Sequence, residues 1–181
     1  FDEPYDIPGD LGAVAFSPDG TYLAMGSTGA LTFSPDGKRL VEACNRIVIW
    51  DRMQDKPLHH LSGGPPARPR IWNVETGAKL HTLDGHRGSV TSVAFSPCGR
   101  YVATGSLDSS VILWDVETGE KVRILHEKRE SRGLTLGDLA PDARENRVLA
   151  VAISPDRRRL VTGEGWQTLG GARGTMRMWD V

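Results

Sequence analysis

Two short motifs recur in a fixed order along the chain, and they constrain its fold more than any other feature. The first is a Ser-Pro turn with an apolar lead-in: Ala15-Phe16-Ser17-Pro18-Asp19-Gly20, Thr32-Phe33-Ser34-Pro35-Asp36-Gly37, Ala94-Phe95-Ser96-Pro97-Cys98-Gly99 and Ala152-Ile153-Ser154-Pro155-Asp156-Arg157. The second places tryptophan between an apolar residue and Asp or Asn: Ile49-Trp50-Asp51, Ile71-Trp72-Asn73, Leu113-Trp114-Asp115 and Met178-Trp179-Asp180. Such repetition implies stacked copies of one supersecondary unit, each burying the apolar face of its neighbour.

The unit is readable locally. In Ser-Pro-Asp-Gly, proline presets φ, and Asp and Gly accept the conformations the next turn positions need. Val90 to Phe95 leads into the third turn and Tyr101 to Thr104 leads out, which predicts a hairpin. Val111 to Trp114 predicts a third strand, Glu117 to Glu120 a turn, and Lys121 to Leu125 a fourth strand. The unit is therefore four short antiparallel strands, a to d, and the expected fold class is all-β. Strand c, Val-Ile-Leu-Trp, is apolar on both faces, so its sheet is expected to lie between two others.

Gly85-His86, the Ser-Pro-x-Gly turn, Gly105-Ser106-Leu107-Asp108 and Leu113-Trp114-Asp115 together resemble the WD-repeat (WD40) family. Residues 85–125 read as a complete repeat, and the resemblance covers roughly 11–125 and 147–181. It implies a β-propeller, a ring of four-stranded blades. It also implies a buried hydrogen-bond network of His86, a Ser or Thr on strand b, Asp108 and Trp114. Thr104 and Ser106 share one face of strand b, so both are candidates for that hydroxyl. The resemblance implies a non-enzymatic scaffold whose partners are other proteins or peptides. A looser likeness is to Groucho/Tup-type co-repressor propellers.

The spacings depart from a regular repeat. Trp72 to Trp114 is 42 residues, but Trp50 to Trp72 is 22 and Ser17 to Ser34 is 17. The blocks read as 11–26 (a and b), 30–61 (all four), 70–83 (c and d), 85–125 (all four) and 147–181 (lacking the last strand). That makes fifteen strands, just under four blades of an incomplete propeller. Missing segments are one explanation; a short ring completed by homo-oligomerisation is the other. Pro4-Tyr5-Asp6-Ile7 is a weak match to the missing strand because of its flanking prolines. The chain starts at Phe1 and reads as a fragment or processed segment.

Composition excludes several classes. The 181 residues carry 22 Lys plus Arg against 23 Asp plus Glu, a balance that argues against direct nucleic-acid binding. Leu, Ile, Val and Phe make up 23% of the chain, above the level of disordered sequences. The longest apolar run, Val148 to Ile153, is too short for a membrane helix. Two cysteines, Cys44 and Cys98, make no disulfide framework and suit an intracellular setting, cytoplasmic or nuclear.

Ser, His and Asp within one repeat raise a hydrolase reading, but no Gly-x-Ser-x-Gly elbow accompanies them, so no catalytic residue is expected. His59, His60, His81 and His126 lack metal-ligand spacing. Glycines at 163, 165, 170 and 171 precede no helical pattern, so no nucleotide or other cofactor is expected. Cys98 stands in a turn, with nothing in the sequence to lower its pKa.

Two insertions remain. Residues 126–147 hold ten charged side chains in 22, including Lys128, Arg129 and Arg132. Seven extra residues between Gly163 and Trp179 are read as a b–c loop containing Trp166. In an antiparallel blade, b–c and d–a connections share one face of the ring. Arg87, Lys128, Arg129, Arg132 and Trp166 are therefore the candidate partner-binding residues. The alternatives are a propeller portion of a larger protein, such as a transcriptional co-repressor, and a truncated non-functional fragment.

Overall fold

The described residues form fifteen strands in the positions the two motifs dictate, and they contain no helix. The computed structural model describes residues 12–27, 29–126, 147–168 and 171–180, with backbone alone at 126, 166–168 and 171–173. The strands are β1 (Ala13–Phe16), β2 (Tyr22–Gly26), β3 (Leu31–Phe33), β4 (Arg39–Glu42) and β5 (Arg46–Asp51). Next come β6 (Lys56–Ser62), β7 (Arg70–Asn73), β8 (Lys79–Thr82), β9 (Val90–Phe95) and β10 (Tyr101–Ser106). The last are β11 (Ser110–Asp115), β12 (Lys121–His126), β13 (Arg147–Ile153), β14 (Arg159–Thr168) and β15 (Gly171–Asp180).

All pairings are antiparallel, but the first two sheets are interleaved. Sheet 1 has the order β1-β2-β5-β6 and sheet 2 the order β3-β4-β7-β8. Sheet 3 runs β9 to β12 in sequence, and sheet 4 is β13-β14-β15. The block 30–61, expected as one blade, is thus divided: β3 and β4 join sheet 2, while β5 and β6 join sheet 1. The half-blocks 11–26 and 70–83 are the complementary halves of those same sheets. The reason is edge satisfaction. Pairing by sequence neighbourhood would leave two isolated hairpins, each marginal alone and each exposing unpaired N–H and C=O groups. Interleaving turns four hairpins into two complete four-stranded sheets.

The exchange is carried by two short links that cross tightly. Ser27 N–H donates to the Arg46 carbonyl at 3.0 Å, and the amides of Asn45 and Arg46 each donate to Ser27 Oγ at 3.2 Å. Ala43 N–H donates to the Ala30 carbonyl at 2.8 Å. The crossing demands small residues: a Cβ on Gly63 would stand 1.9 Å from the Cys44 carbonyl oxygen.

Each junction between sheets is an apolar core. Ala24, Ile47 and Ile49 of sheet 1 meet Phe33, Leu40 and Trp72 of sheet 2. Val41, Ile71 and Leu83 meet Val102, Ile112 and Trp114 across the next junction. Ala103, Val111, Leu113 and Leu125 meet Val148, Val151 and Leu160 across the third. The first strands β1, β3, β9 and β13 lie side by side in that order, so the sheets stack in chain order from one common edge. Thr91 Oγ1 donates to the Val148 carbonyl, and Val151 N–H donates to Ser92 Oγ at 3.0 Å, stitching β9 to β13.

The extra residues before Trp179 do not form the expected b–c loop. They lengthen β14 and β15 to ten residues each, and Trp166 pairs with Arg173 within that ladder. Ladder pairing satisfies the backbone groups that a loop would leave to water.

Gly63→Ala should destabilise the protein by about 2 kcal/mol or more, because backbone must move to admit one methyl group. Gly163→Ala, whose Cβ would make ordinary contact at 3.6 Å, should change stability by less than about 0.5 kcal/mol. Urea unfolding of both variants checks the pair.

Candidate functional site

The four Ser-Pro turns build one cradle four times. In the first, Ser17 Oγ donates to Asp19 at 2.6 Å and accepts from the Tyr22 amide at 2.8 Å, and Thr21 N–H donates to Asp19 at 3.0 Å. Ser34 with Asp36 and Ser154 with Asp156 repeat these contacts. The hydroxyl and amide donors hold Asp19 down at about 2 and lower Asp36 and Asp156 as well.

Cys98 occupies the same socket, with Ser96 Oγ 3.3 Å from its sulfur. The Ser96 hydroxyl, the Arg100 amide and the Arg157 side chain lower its thiol to about 7. This corrects the expectation of an unperturbed thiol, because a socket built for a carboxylate also stabilises a thiolate. Buried Cys44 is the opposite case: burial, then the Glu42 carboxylate, push its thiol up to about 12.

Sheet 3 brings the predicted network residues together. His86 Nε2 lies 2.7 Å from Thr104 Oγ1, and Trp114 Nε1–H donates to that oxygen at 2.8 Å. His86 Nδ1 lies 2.9 Å from Ser110 Oγ and 3.3 Å from Asp108 Oδ2. Asp108 also accepts from the amides of Arg87 at 2.6 Å and Ser110 at 2.9 Å. Burial alone would raise its carboxyl, but donors from His86, Ser110 and the backbone outweigh it and hold it well below the usual range.

Thr104 and Ser106 divide the work. Thr104 joins histidine to tryptophan, whereas Ser106 donates to the Gly88 carbonyl at 2.9 Å and accepts from the Asp108 amide at 3.1 Å. Thr104 is fully buried and the His86 side chain has no exposed surface, so both are enclosed by their own partners, while Asp108 keeps a small exposed fraction. The network ties strands a, b and c together through satisfied polar groups.

Sequence reading missed the counterparts of Thr104. In each sheet one strand-b residue stands two places beyond the cross-strand partner of the tryptophan: Met25, Glu42, Thr104 and Thr162. Trp72 donates to Glu42 at 3.0 Å and Trp179 to Thr162 at 3.3 Å, as Trp114 does to Thr104. Glu42 is fully buried and also receives Arg70 Nη1 at 3.0 Å and the Cys44 amide at 2.6 Å. Burial pushes its carboxyl up, and those donors pull against it. The signal was present: all four residues follow their turn serine by eight positions.

A second recurring contact ties neighbouring sheets. His59 Nε2 on β6 lies 2.9 Å from the Glu75 carbonyl, and His81 Nε2 on β8 lies 2.9 Å from the Glu117 carbonyl. Arg123 on β12 holds the corresponding place and donates to the Asp180 carbonyl at 2.8 Å. These histidines stand between sheets and share no metal cluster among the described residues.

Of the expected partner-binding residues, Arg87 is exposed beside Asp108, and Trp166 lies on the β14–β15 ribbon that extends the b–c side. Lys128, Arg129 and Arg132 lie outside the described residues, as does Pro4-Tyr5-Asp6-Ile7.

Thr104→Val keeps the shape but strands a buried indole N–H and an imidazole nitrogen. It should cost about 2 kcal/mol of stability in urea unfolding. Cys98 should be alkylated by iodoacetamide with a midpoint near pH 7 in the folded protein, while Cys44 stays unmodified until unfolding. A rate that still rises tenfold per pH unit above pH 8 would contradict the socket.

Comparison with known proteins agrees with this geometry. The family model described as "WD domain, G-beta repeat" matches residues 77–115 and 140–180. The B-type subunit of chromatin assembly factor 1 from Gallus gallus is 29% identical over 175 residues, covering 94% of this chain and 28% of the relative. The beta-type subunit of a guanine nucleotide-binding protein from Oryza sativa subsp. japonica is 29% identical over 119 residues, 60% of this chain and 28% of the relative. Transcription initiation factor TFIID subunit 5 of Caenorhabditis elegans is 34% identical over 59 residues, 32% of this chain and 9% of the relative. The chain thus spans less than a third of each relative's length. The stacked sheets, the buried tryptophan network and these matches show that the chain carries WD40 repeats, folded as blades consistent with a propeller.

Proposed function

We propose that the chain is a non-enzymatic protein-interaction scaffold that binds its partners through the b–c and d–a side of the blades. The observation that carries this is the state of the reactive-looking residues. His86, Thr104, Asp108 and Ser110 are committed to one another and to the fold. By contrast, Arg87 is exposed on the b–c side and the β14–β15 ribbon adds a recognition edge there. The relatives' names support the reading at the coarse level, since all three are called subunits. Arg87, Trp166, Lys128, Arg129 and Arg132 are the contact residues of this proposal. Its setting is intracellular, with proteins or peptides as partners.

A second reading has its own support. Val14 and Phe16 on sheet 1, and Leu149, Met176 and Met178 on sheet 4, are exposed apolar residues on the two end sheets. They suit a propeller portion of a larger protein, whose further blades would cover them, or two copies that cover each other.

Trp166→Ala and Arg87→Glu in the full chain should each reduce co-purification of bound proteins from extract at least about fivefold, with unchanged urea unfolding. Unchanged capture by both variants would remove the site. Light scattering on the same protein separates a monomer near 19.7 kDa from a dimer that covers its own ends.

A further inference from the structure

The opposite side of the blades, where the Ser-Pro turns lie, carries two departures from the repeat that meet at one place. Three of the four turns have Asp at the third position, and one has Cys98. Three have glycine at the fourth, with φ between 71° and 73°, whereas Arg157 takes that position at φ 63°. A side chain in the left-handed region is unfavourable for an L residue, so Arg157 is not what the turn itself favours. Arg157 reaches across from sheet 4 to the Cys98 turn of sheet 3.

Between them lies a cavity of about 420 Å³. Its apolar lining is Tyr101, Leu113, Val122 and Ile153. Arg100 and Arg157 stand at its rim, and no carboxylate is among the lining residues. Arg100 lies over the Tyr101 ring at 5.1 Å and holds Asp115 by its Nε at 3.2 Å. Arg158 and Arg159 follow Arg157 and are exposed. The neighbouring cleft between sheets 2 and 3 is different, because Asp36, Asp115 and Glu117 balance Lys38, Arg39 and Arg100 there. In this cavity Cys98, with its thiol at about 7, carries less negative charge at neutral pH than the sister aspartates, and the arginine at 157 adds a positive one. Val122 remains half exposed at its edge.

We propose that this cleft between sheets 3 and 4 binds an acidic linear peptide of a partner protein. An apolar side chain packs on that lining, and flanking carboxylates meet Arg157 and Arg100. Charge complementarity decides the occupant: an apolar pocket flanked by Arg157 and by Arg100, whose Nε alone is given to Asp115, selects against basic segments and offers guanidinium donors to acidic ones. The site is on the other side of the blades from Arg87 and Trp166, so it stands or falls separately from the proposed scaffold face.

The test uses the full chain and a fluorescein-labelled peptide in which two leucines are set among glutamates. A second peptide has lysine for every glutamate. Fluorescence polarisation should show the acidic peptide binding at least about tenfold tighter. Arg157→Gly restores the residue of the three sister turns, so it should keep or raise the melting temperature while weakening the acidic peptide about tenfold. Cys98→Asp restores the sister carboxylate and should weaken it similarly, whereas Trp166→Ala should leave it unchanged. Equal binding of the two peptides, or an Arg157→Gly variant that binds as well as the parent, overturns the proposal.

Discussion

A strand edge left unpaired inside a stack of sheets has no water to turn to, and this requirement organises the protein. Four hairpins arrive in the order a–b, a–b, c–d, c–d over the first part of the chain. Pairing each with its sequence neighbour would complete one sheet and leave two half-sheets. The chain instead closes Leu23 on Trp50 and Leu40 on Trp72, so every interior edge finds a partner. The consequence is a crossing at residues 27–30 and 43–45, where Ser27, Ala43, Cys44 and Gly63 leave room for two links at close range. The first apolar junction is built on this exchange, because Ile49 and Trp72 share one core across the two interleaved sheets.

Within the sheets the polar groups follow one rule and vary in its execution. In sheets 2, 3 and 4 the indole N–H of strand c is given an oxygen from strand b, while sheet 1 carries Met25 at that position. Thr104 supplies it with the help of His86 and Asp108, Thr162 supplies it beside Glu164, and Glu42 supplies it as a buried carboxylate held by Arg70. Each arrangement satisfies the group, yet removal of one member would strand the others, so each sheet resists piecemeal change. The same logic accounts for a histidine beside a hydroxyl and a carboxylate in sheet 3. Its three neighbours are hydrogen-bond partners within the fold, and the imidazole itself has no exposed surface.

Much of this was legible in the sequence. Repeated Ser-Pro turns and Trp-Asp pairs predict short antiparallel strands, and the described residues form fifteen of them. His86, Asp108 and Trp114 are found in one network as the family resemblance implies, and the choice between Thr104 and Ser106 resolves into two distinct roles. The pairing of the first eight strands was not legible, because local pattern specifies hairpins while the partner of each free edge is a long-range decision. Glu42 was hidden for the same reason: its tryptophan lies thirty residues away, on a strand assigned to another block. Trp166 was misplaced because glycines at 163, 165, 170 and 171 read as a loop, whereas the structure extends the ladder through them.

The central claim is the interleaved pairing, and long-range nuclear Overhauser contacts between backbone protons test it most directly. The structure requires β2–β5 contacts centred on Ala24 and Ile49, and β4–β7 contacts centred on Val41 and Ile71. Observation of both sets in the folded chain establishes the exchange. Contacts pairing β4 with β5 along their length, with β2 left as an edge, would contradict it and restore a single blade over residues 30–61.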